Sequence, residues 1–232
     1  MSGRPREAML FAAGLGTRMG ALTAHRPKPL VEVGGRALID HALEQIDNAG
    51  IGRVVVNVHY LGAQIRAHLA HRPDIVISDE TETILETGGG LKKAAGLFAG
   101  GAVVTLNSDA VWRTPTALRG LVDRWQPAGM ACLALLVPRA QALGHRGGGD
   151  FDLGADGRIR RGRDFVFTGA QVVVLDEVTA EPGAVFSFNR VWDRLIADGR
   201  MFGAVHEGGW CDVGHPEALP LAERLLGGAG DV

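Results

Sequence analysis

The sequence predicts an α/β protein built on a doubly wound, mostly parallel sheet with helices on both faces. Two observations carry that expectation. Short apolar and β-branched runs recur at Ala8–Ala13, Arg53–Val58, Asp74–Ser78 and Gly101–Leu106, each of a length that suits a buried strand. Between them lie segments with helical spacing: Leu38, Ala42, Leu43 and Ile46 in one, and Leu61, Ile65 and Leu69 in the next. Strand and helix therefore alternate, and ligands in such sheets sit at the carboxyl ends of the strands.

Taken in order, the first strand runs into a Gly-rich turn, and Val31–Arg36 reads as a short strand and turn. A helix over Ala37–Ala49 is stopped by Gly50 and Gly52, and another is expected over Tyr60–Ala70. Three glycines, Gly88, Gly89 and Gly90, read as a loop before a helix over Leu91–Phe98, on which Lys92 and Lys93 are expected as solvated charges. Thr116–Arg124 is expected as a helix, Met130–Val137 as a strand and Arg139–Gly149 as a mobile loop. A hairpin begins at Asp150–Leu153 and turns at Asp156–Gly157, followed by a strand over Phe165–Val172. The chain closes with a helix (Phe188–Asp198), a strand (Met201–His206), a turn (Gly208–Pro216), a helix (Pro216–Leu226) and a Gly-rich tail expected to fray.

At 232 residues, with 46% hydrophobic and 22% charged residues, one soluble domain of ordinary size is expected over 1–232. A net charge of −2 gives no electrostatic case for nucleic acid or a membrane surface. No apolar run approaches a bilayer span, and the N-terminus has no signal-peptide core. Cys132 and Cys211 lack a CxxC or metal-ligand spacing, so a reduced, cytoplasmic protein is expected.

The chemistry concentrates in Met9–Leu30. Directly after the first strand comes Gly14-Leu15-Gly16-Thr17-Arg18-Met19-Gly20, a turn whose backbone N–H groups suit an anion, with the Arg18 fork beside them. Arg26-Pro27-Lys28-Pro29 then holds Lys28 between two prolines that restrict the backbone. Of the 24 Lys+Arg only Lys28, Lys92 and Lys93 are lysines, so a compact point charge is retained at Lys28 where Arg is the usual choice. The turn is not a Walker A loop, having no Gly-Lys-Ser/Thr. Nor is it a dinucleotide fingerprint, whose third glycine would fall at Met19.

Further along, Leu85-Glu86-Thr87-Gly88-Gly89-Gly90 is a loop able to lie against a flat ring, with Glu80 and Glu86 able to accept hydrogen bonds from a base or ribose. His59, at a strand end, is either a ligand or a hydrogen-bonded structural His. Asn107-Ser108-Asp109 puts a carboxylate where a strand leaves the sheet, a place that holds Mg²⁺ or merely caps a turn. Gly149-Asp150-Phe151, Thr168-Gly169 and Trp210-x-Asp212-Val213-Gly214 follow in order.

Together these motifs resemble those of the sugar-1-phosphate nucleotidyltransferases, over nearly the whole chain. The resemblance implies that Ala13, Gly14, Gly16, Thr17, Arg18 and Lys28 wrap a nucleoside triphosphate, and that Glu80, Glu86, Gly88 and Asn107 hold the nucleotide. It implies catalytic roles for Arg18, Lys28 and Asp109, Mg²⁺ on Asp109 and Asp212, and a sugar phosphate against Asp150, Thr168 and Gly169 in a small β-hairpin region. Residues 1–115 would then form the nucleotide half and 116–232 the sugar-phosphate half.

Two departures stand out: Ser108 replaces the family's usual Gly, and the further Lys of a Glu-Lys-Pro motif is missing. The region reads Val137-Pro138-Arg139, which leaves Arg139 or Arg146 to anchor the sugar phosphate. Among compact members the resemblance is greatest to the uridylyltransferases of N-acetylmuramate α-1-phosphate, in cell-wall sugar recycling. GTP with mannose-1-phosphate, dTTP with glucose-1-phosphate, CTP with phosphocholine, or a catalytically silent nucleotide-sugar sensor are the alternatives. A monomer or small homo-oligomer is expected.

Overall fold

A computed structural model describes residues 3–228, so residues 229–232 of the expected frayed tail lie outside the described residues. Strand β1 (Glu7–Phe11) leads into a 3₁₀ helix over Thr17–Thr23, a 3₁₀ turn over Lys28–Leu30 and a small hairpin, β2 (Glu32–Val33) and β3 (Arg36–Ala37). Then come α1 (Leu38–Asn48), β4 (Arg53–Val58), α2 (Gly62–Leu69), β5 (Ile75–Asp79), α3 (Glu86–Ala94) and β6 (Ala102–Asn107). Strands β5, β4, β1 and β6 lie side by side and all run parallel, with Ala8 opposite both Val54 and Val104.

The second half contributes β7 (Ala110–Trp112), α4 (Ala117–Asp123), β8 (Cys132–Pro138), β9 (Ala142–Leu143), β10 (Phe151–Leu153), β11 (Ile159–Arg161) and β12 (Phe165–Val174). It ends with α5 (Leu175–Thr179), α6 (Phe188–Ala197), β13 (Met201–Val205), β14 (Trp210–Asp212) and α7 (Leu219–Leu226). β12 joins the parallel block by pairing antiparallel with β6, then with β8, which pairs parallel with β13. The β10–β11 hairpin hangs on the start of β12. The result is a mixed, mostly parallel, nine-stranded sheet.

The period-2 alternation of the strands sorts the core onto two faces. Ala8, Leu10, Val54 and Val56 pack with Ile39, Ile46, Ile65 and Leu118 of α1, α2 and α4. Met9, Val55 and Val103 pack on the other face with Leu91, Val178, Val191 and Leu195 of α3, α5 and α6. Each fully buried Val, Leu, Ile or Met among them contributes roughly 1.5–3 kcal/mol. This two-sided burial is why the strands read as continuous apolar runs. A third, small core joins Met19, Val33, Val111, Cys211, Val213 and Leu225 beneath a separate three-stranded sheet, β7-β14-β9. Among the described residues no helix is long and apolar enough to cross a membrane.

Four features depart from the sequence reading. β7 and β14 are three-residue strands, too short to show a period, and exist because they pair with each other. The segment expected as a mobile loop is pinned at its start, where Ala142 and Leu143 pair with Trp210 and Cys211 of β14. The three glycines sit inside α3, not in a loop, because tertiary packing overrides their poor helix propensity. An added Cβ would stand 2.4 Å from the Phe186 ring at Gly88, 2.1 Å from the Ala184 carbonyl at Gly89 and 2.7 Å from the Glu80 carboxylate at Gly90. Lys92 and Lys93, finally, are not free surface charges. Lys92 donates to the Glu181 and Gly183 carbonyls and Lys93 to that of Asp79, tying α3 to its surroundings.

One buried group makes stability depend on pH. His206 is 9% exposed, its Nε2 has no partner among the described residues, and its ring lies edge-on to Trp112 with centroids 5.4 Å apart. Burial lowers its pKa below the ordinary 6.5. The unfolded chain therefore binds this proton first, so the stability His206 contributes is full above that value and declines as pH falls through it. The stability of the wild type to urea should fall progressively below about pH 6.5, and His206→Phe should flatten that part of the profile. Equal slopes in both proteins would contradict this assignment.

Candidate active site

The Gly-rich turn is built from β1 outward. Asn57, at the end of β4, accepts a hydrogen bond from the Ala12 N–H (2.8 Å) and donates through Nδ2 to Glu80 Oε1 (2.8 Å), which fixes where the chain leaves the sheet. Gly16 has φ +66° and lies so close to Lys28 that a Cβ would stand 3.0 Å from the Lys28 Cβ. The Thr23 hydroxyl donates to the Gly16 carbonyl (2.9 Å), and Tyr60 donates to the carbonyls of Thr23 and Ala24, so the turn is braced from below. Lys28 opens a 3₁₀ turn instead of extending between its prolines, because the Val31 N–H closes onto the Lys28 carbonyl (3.0 Å).

Lys28 is 8% exposed, and its Nζ lies 2.7 Å from Asp109 Oδ2. Asp109 follows β6, and Asp212 ends β14. The antiparallel β7–β14 pairing sets Asp212 opposite Ala110, and the Val213 N–H donates to the Asp109 carbonyl (2.8 Å). Two carboxylates a hundred residues apart in sequence are thus brought together. Burial, then the negative charge of Asp109, raise the pKa of Asp212, while Lys28, Arg18 and His145 oppose the shift. Among the described residues nothing donates a hydrogen bond to the Asp212 carboxylate. Its oxygens are hard donors facing a second carboxylate, a set suited to Mg²⁺, which takes one or two carboxylates plus phosphate oxygens. Among the described residues no cluster of three or more metal-ligating side chains exists, so the pair alone would leave most positions to substrate and water.

Ser108, in the place of the family's usual Gly, is accommodated without strain: it is absent from the positive-φ residues, and its hydroxyl donates to the Phe11 carbonyl (2.6 Å). Three hollows meet at Asp109. The first, about 200 Å³, is lined by Ala13, Gly14, Lys28, Glu80, Glu86, Thr87 and Asn107. The second, about 360 Å³, runs along Gly14, Gly16, Thr17, Arg18 and Lys28. The third, about 630 Å³, holds Arg18, Asn107, Asp150, Thr168, Gly169 and Asp212, with Phe167, Trp192 and Trp210 as aromatic walls.

Most of the residues singled out from sequence thus border one continuous depression, but several differ in detail. Glu80 is 1% exposed and engaged by Asn57, so it clamps the floor of the first hollow instead of offering a free carboxylate. Gly88 is not part of that hollow's lining; its Cα packs on Phe186. Glu86 does line it, at φ +59°, an uncommon backbone for a side-chain-bearing residue. Thr168 lines the third hollow and donates its hydroxyl proton to the Leu135 carbonyl (2.8 Å), which leaves the oxygen as an acceptor. Asp150 Oδ2 accepts from the Phe167 N–H (2.8 Å). Gly169, at φ +86°, sits at a register shift of β12, and a Cβ there would be 2.8 Å from that of Asn107.

His59 is structural, its Nδ1–H donating to the Glu80 carbonyl (2.7 Å). Arg139 lines none of the three hollows, whereas Arg146 lines the largest. Sequence reasoning passed over Asn57, Asn189, His145 and His215. Asn57 alone had a visible signal, as the one polar residue inside a β-branched run.

The chain matches the MobA-like NTP transferase domain over residues 8–220. It is 42% identical to the N-acetylmuramate alpha-1-phosphate uridylyltransferase of Caulobacter vibrioides, over 97% of this chain and 99% of that protein. It is 31% identical to the enzyme of the same name from Neisseria meningitidis serogroup B, over 95% and 98%. In fold it is similar to the inositol-1-phosphate CTP transferase from T. maritima, with a TM-score of 0.78 at 16% identity over 97% of this chain and 96% of that one.

Proposed function

We propose the reaction from the premise that this chain belongs to the MobA-like NTP transferase family: it transfers the uridylyl group of UTP to N-acetylmuramate α-1-phosphate and releases pyrophosphate. The observation that carries the reading is the meeting of the three hollows at Asp109, beside Lys28 and Asp212. The two full-length relatives support the choice of substrates.

In this reading the base lies in the first hollow against Ala13, Gly14 and Glu86, over the floor made by Glu80 and Asn57. Gly16, Thr17 and Arg18 wrap the triphosphate. The sugar phosphate enters the largest hollow, with its ring against the aromatic walls and Asp150. Residues 1–115 then serve the nucleotide and 116–232 the sugar phosphate, except that Asp212 returns from the second half to the centre.

An oxygen of the sugar phosphate bonds to the α-phosphorus as the bond to pyrophosphate breaks and its electrons leave with that group. The attacking oxygen is already anionic, so no side chain need remove a proton. The barrier is one of bringing anions together and aligning them, a task for fixed charge and position. Lys28 neutralises oxygens of the transferring phosphate, held in place by its ion pair to Asp109. Arg18, which borders both the phosphate turn and the largest hollow, screens the incoming phosphate from the departing one. Asp109 and Asp212 would hold Mg²⁺, which supplies charge stabilisation to the phosphate oxygens. The test is direct: UTP, N-acetylmuramate α-1-phosphate and Mg²⁺ should yield UDP-N-acetylmuramate and pyrophosphate in equal amounts by mass spectrometry. No nucleotide sugar, with the enzyme folded, would reject the substrate pair.

A further inference from the structure

Resting on the muramate reading above, we propose that the largest hollow contains a carboxylate subsite and that Arg146 is the residue that fills it. N-acetylmuramate differs from N-acetylglucosamine by a lactyl ether at O3, so the substrate carries a carboxylate as well as its 1-phosphate. The phosphate must face Arg18 and Lys28, where its oxygen reaches the α-phosphorus. The second negative charge then needs a cation elsewhere in the same hollow.

Beyond Arg18, the positive or protonatable side chains of that hollow are His145, Arg146 and His215. His145 and His215 each spend Nε2 on the loop backbone, His145 on the Gly148 carbonyl (2.7 Å) and His215 on that of Gly144 (2.8 Å), and His215 Nδ1 lies 3.0 Å from Glu217 Oε2. Arg146 is the planar, permanently charged fork that matches a carboxylate. The loop that carries it is anchored at both ends. A Cβ on Gly144 would lie 2.1 Å from the Asp212 carbonyl, and one on Gly149 would lie 2.2 Å from that of Arg163. Its present partner is Glu217, at 3.0 Å, with the two side chains 63% and 68% exposed.

So exposed a pair contributes little. Glu217 is not part of the hollow's lining, whereas Arg146 is. Exchanging Glu217 for the lactyl carboxylate therefore costs little and gives a charge-assisted pair inside the hollow. The acidic side chains of the lining, Asp109, Asp150 and Asp212, repel a second carboxylate and leave it the Arg146 guanidinium.

The experiment compares wild type, Arg146→Ala and Arg146→Gln on N-acetylmuramate α-1-phosphate and N-acetylglucosamine α-1-phosphate, with UTP and Mg²⁺. The preference for the muramate, as a ratio of kcat/KM values, should fall about 10- to 100-fold in both variants, chiefly through KM. Where turnover of the glucosamine phosphate is too slow, calorimetric affinities for UDP-N-acetylmuramate and UDP-N-acetylglucosamine give the same ratio. Equal losses on both substrates would make Arg146 a phosphate anchor and overturn the proposal, as would an unchanged ratio. A wild type inactive on the muramate would instead remove the substrate reading on which the subsite stands. Thermal melts of the variants separate these results from misfolding.

Discussion

Lys28→Ala lowers kcat by roughly 10²–10³, the scale of losing one preorganised stabilising group, and does so with little change in the KM for UTP. The reason is geometric. Lys28 is nearly buried, 2.7 Å from Asp109, and braced through the contact of Gly16 with its Cβ, so its charge needs no reorganisation when the transferring phosphate gains charge. Lys28→Arg should recover little, because the bulky fork does not fit the place of a compact ammonium between Gly16 and Asp109. Steady-state pyrophosphate release measures both. A variant with wild-type kcat and a raised KM would move Lys28 from the transition state to ground-state binding.

Asp212→Asn should be as damaging to turnover, by roughly 10²–10³, yet should not weaken the fold. Burial, then the negative charge of Asp109, disfavour the charged form of Asp212 where the two carboxylates meet in the metal-free protein. Replacing one by a neutral amide of the same shape relieves that repulsion, so the melting temperature of the metal-free variant should equal or exceed the wild type's. Added Mg²⁺ should stabilise the wild type by mass action and leave Asp212→Asn nearly unmoved. Thermal melts with and without Mg²⁺ read this apart from activity. A destabilised variant that still responds to Mg²⁺ would place the ion elsewhere.

The parallel half of the sheet was legible because burial on both faces writes itself as apolar runs such as Arg53–Val58, and the phosphate turn because its glycines and cations are contiguous. What stayed hidden depends on partners distant in sequence. Strands as short as Trp210–Asp212 have no period to detect, and Asp109 and Asp212 meet only through their pairing. Gly88, Gly89 and Gly90 looked like loop residues because glycine is a poor helix former. Their real constraint is the closeness of Phe186, Ala184 and Glu80, which no local pattern records. Thr168 is a similar case: its type and place drew attention, but the direction of its hydroxyl was settled by the Leu135 carbonyl of β8.

The most direct test of the account is pyrophosphate release with Mg²⁺, crossing UTP, CTP, GTP and dTTP against sugar 1-phosphates that include N-acetylmuramate α-1-phosphate. The account predicts turnover confined to UTP with the muramate. Absence of pyrophosphate with every pair, from folded protein that still binds nucleotide, would contradict it and leave the three hollows as a sensor's binding site.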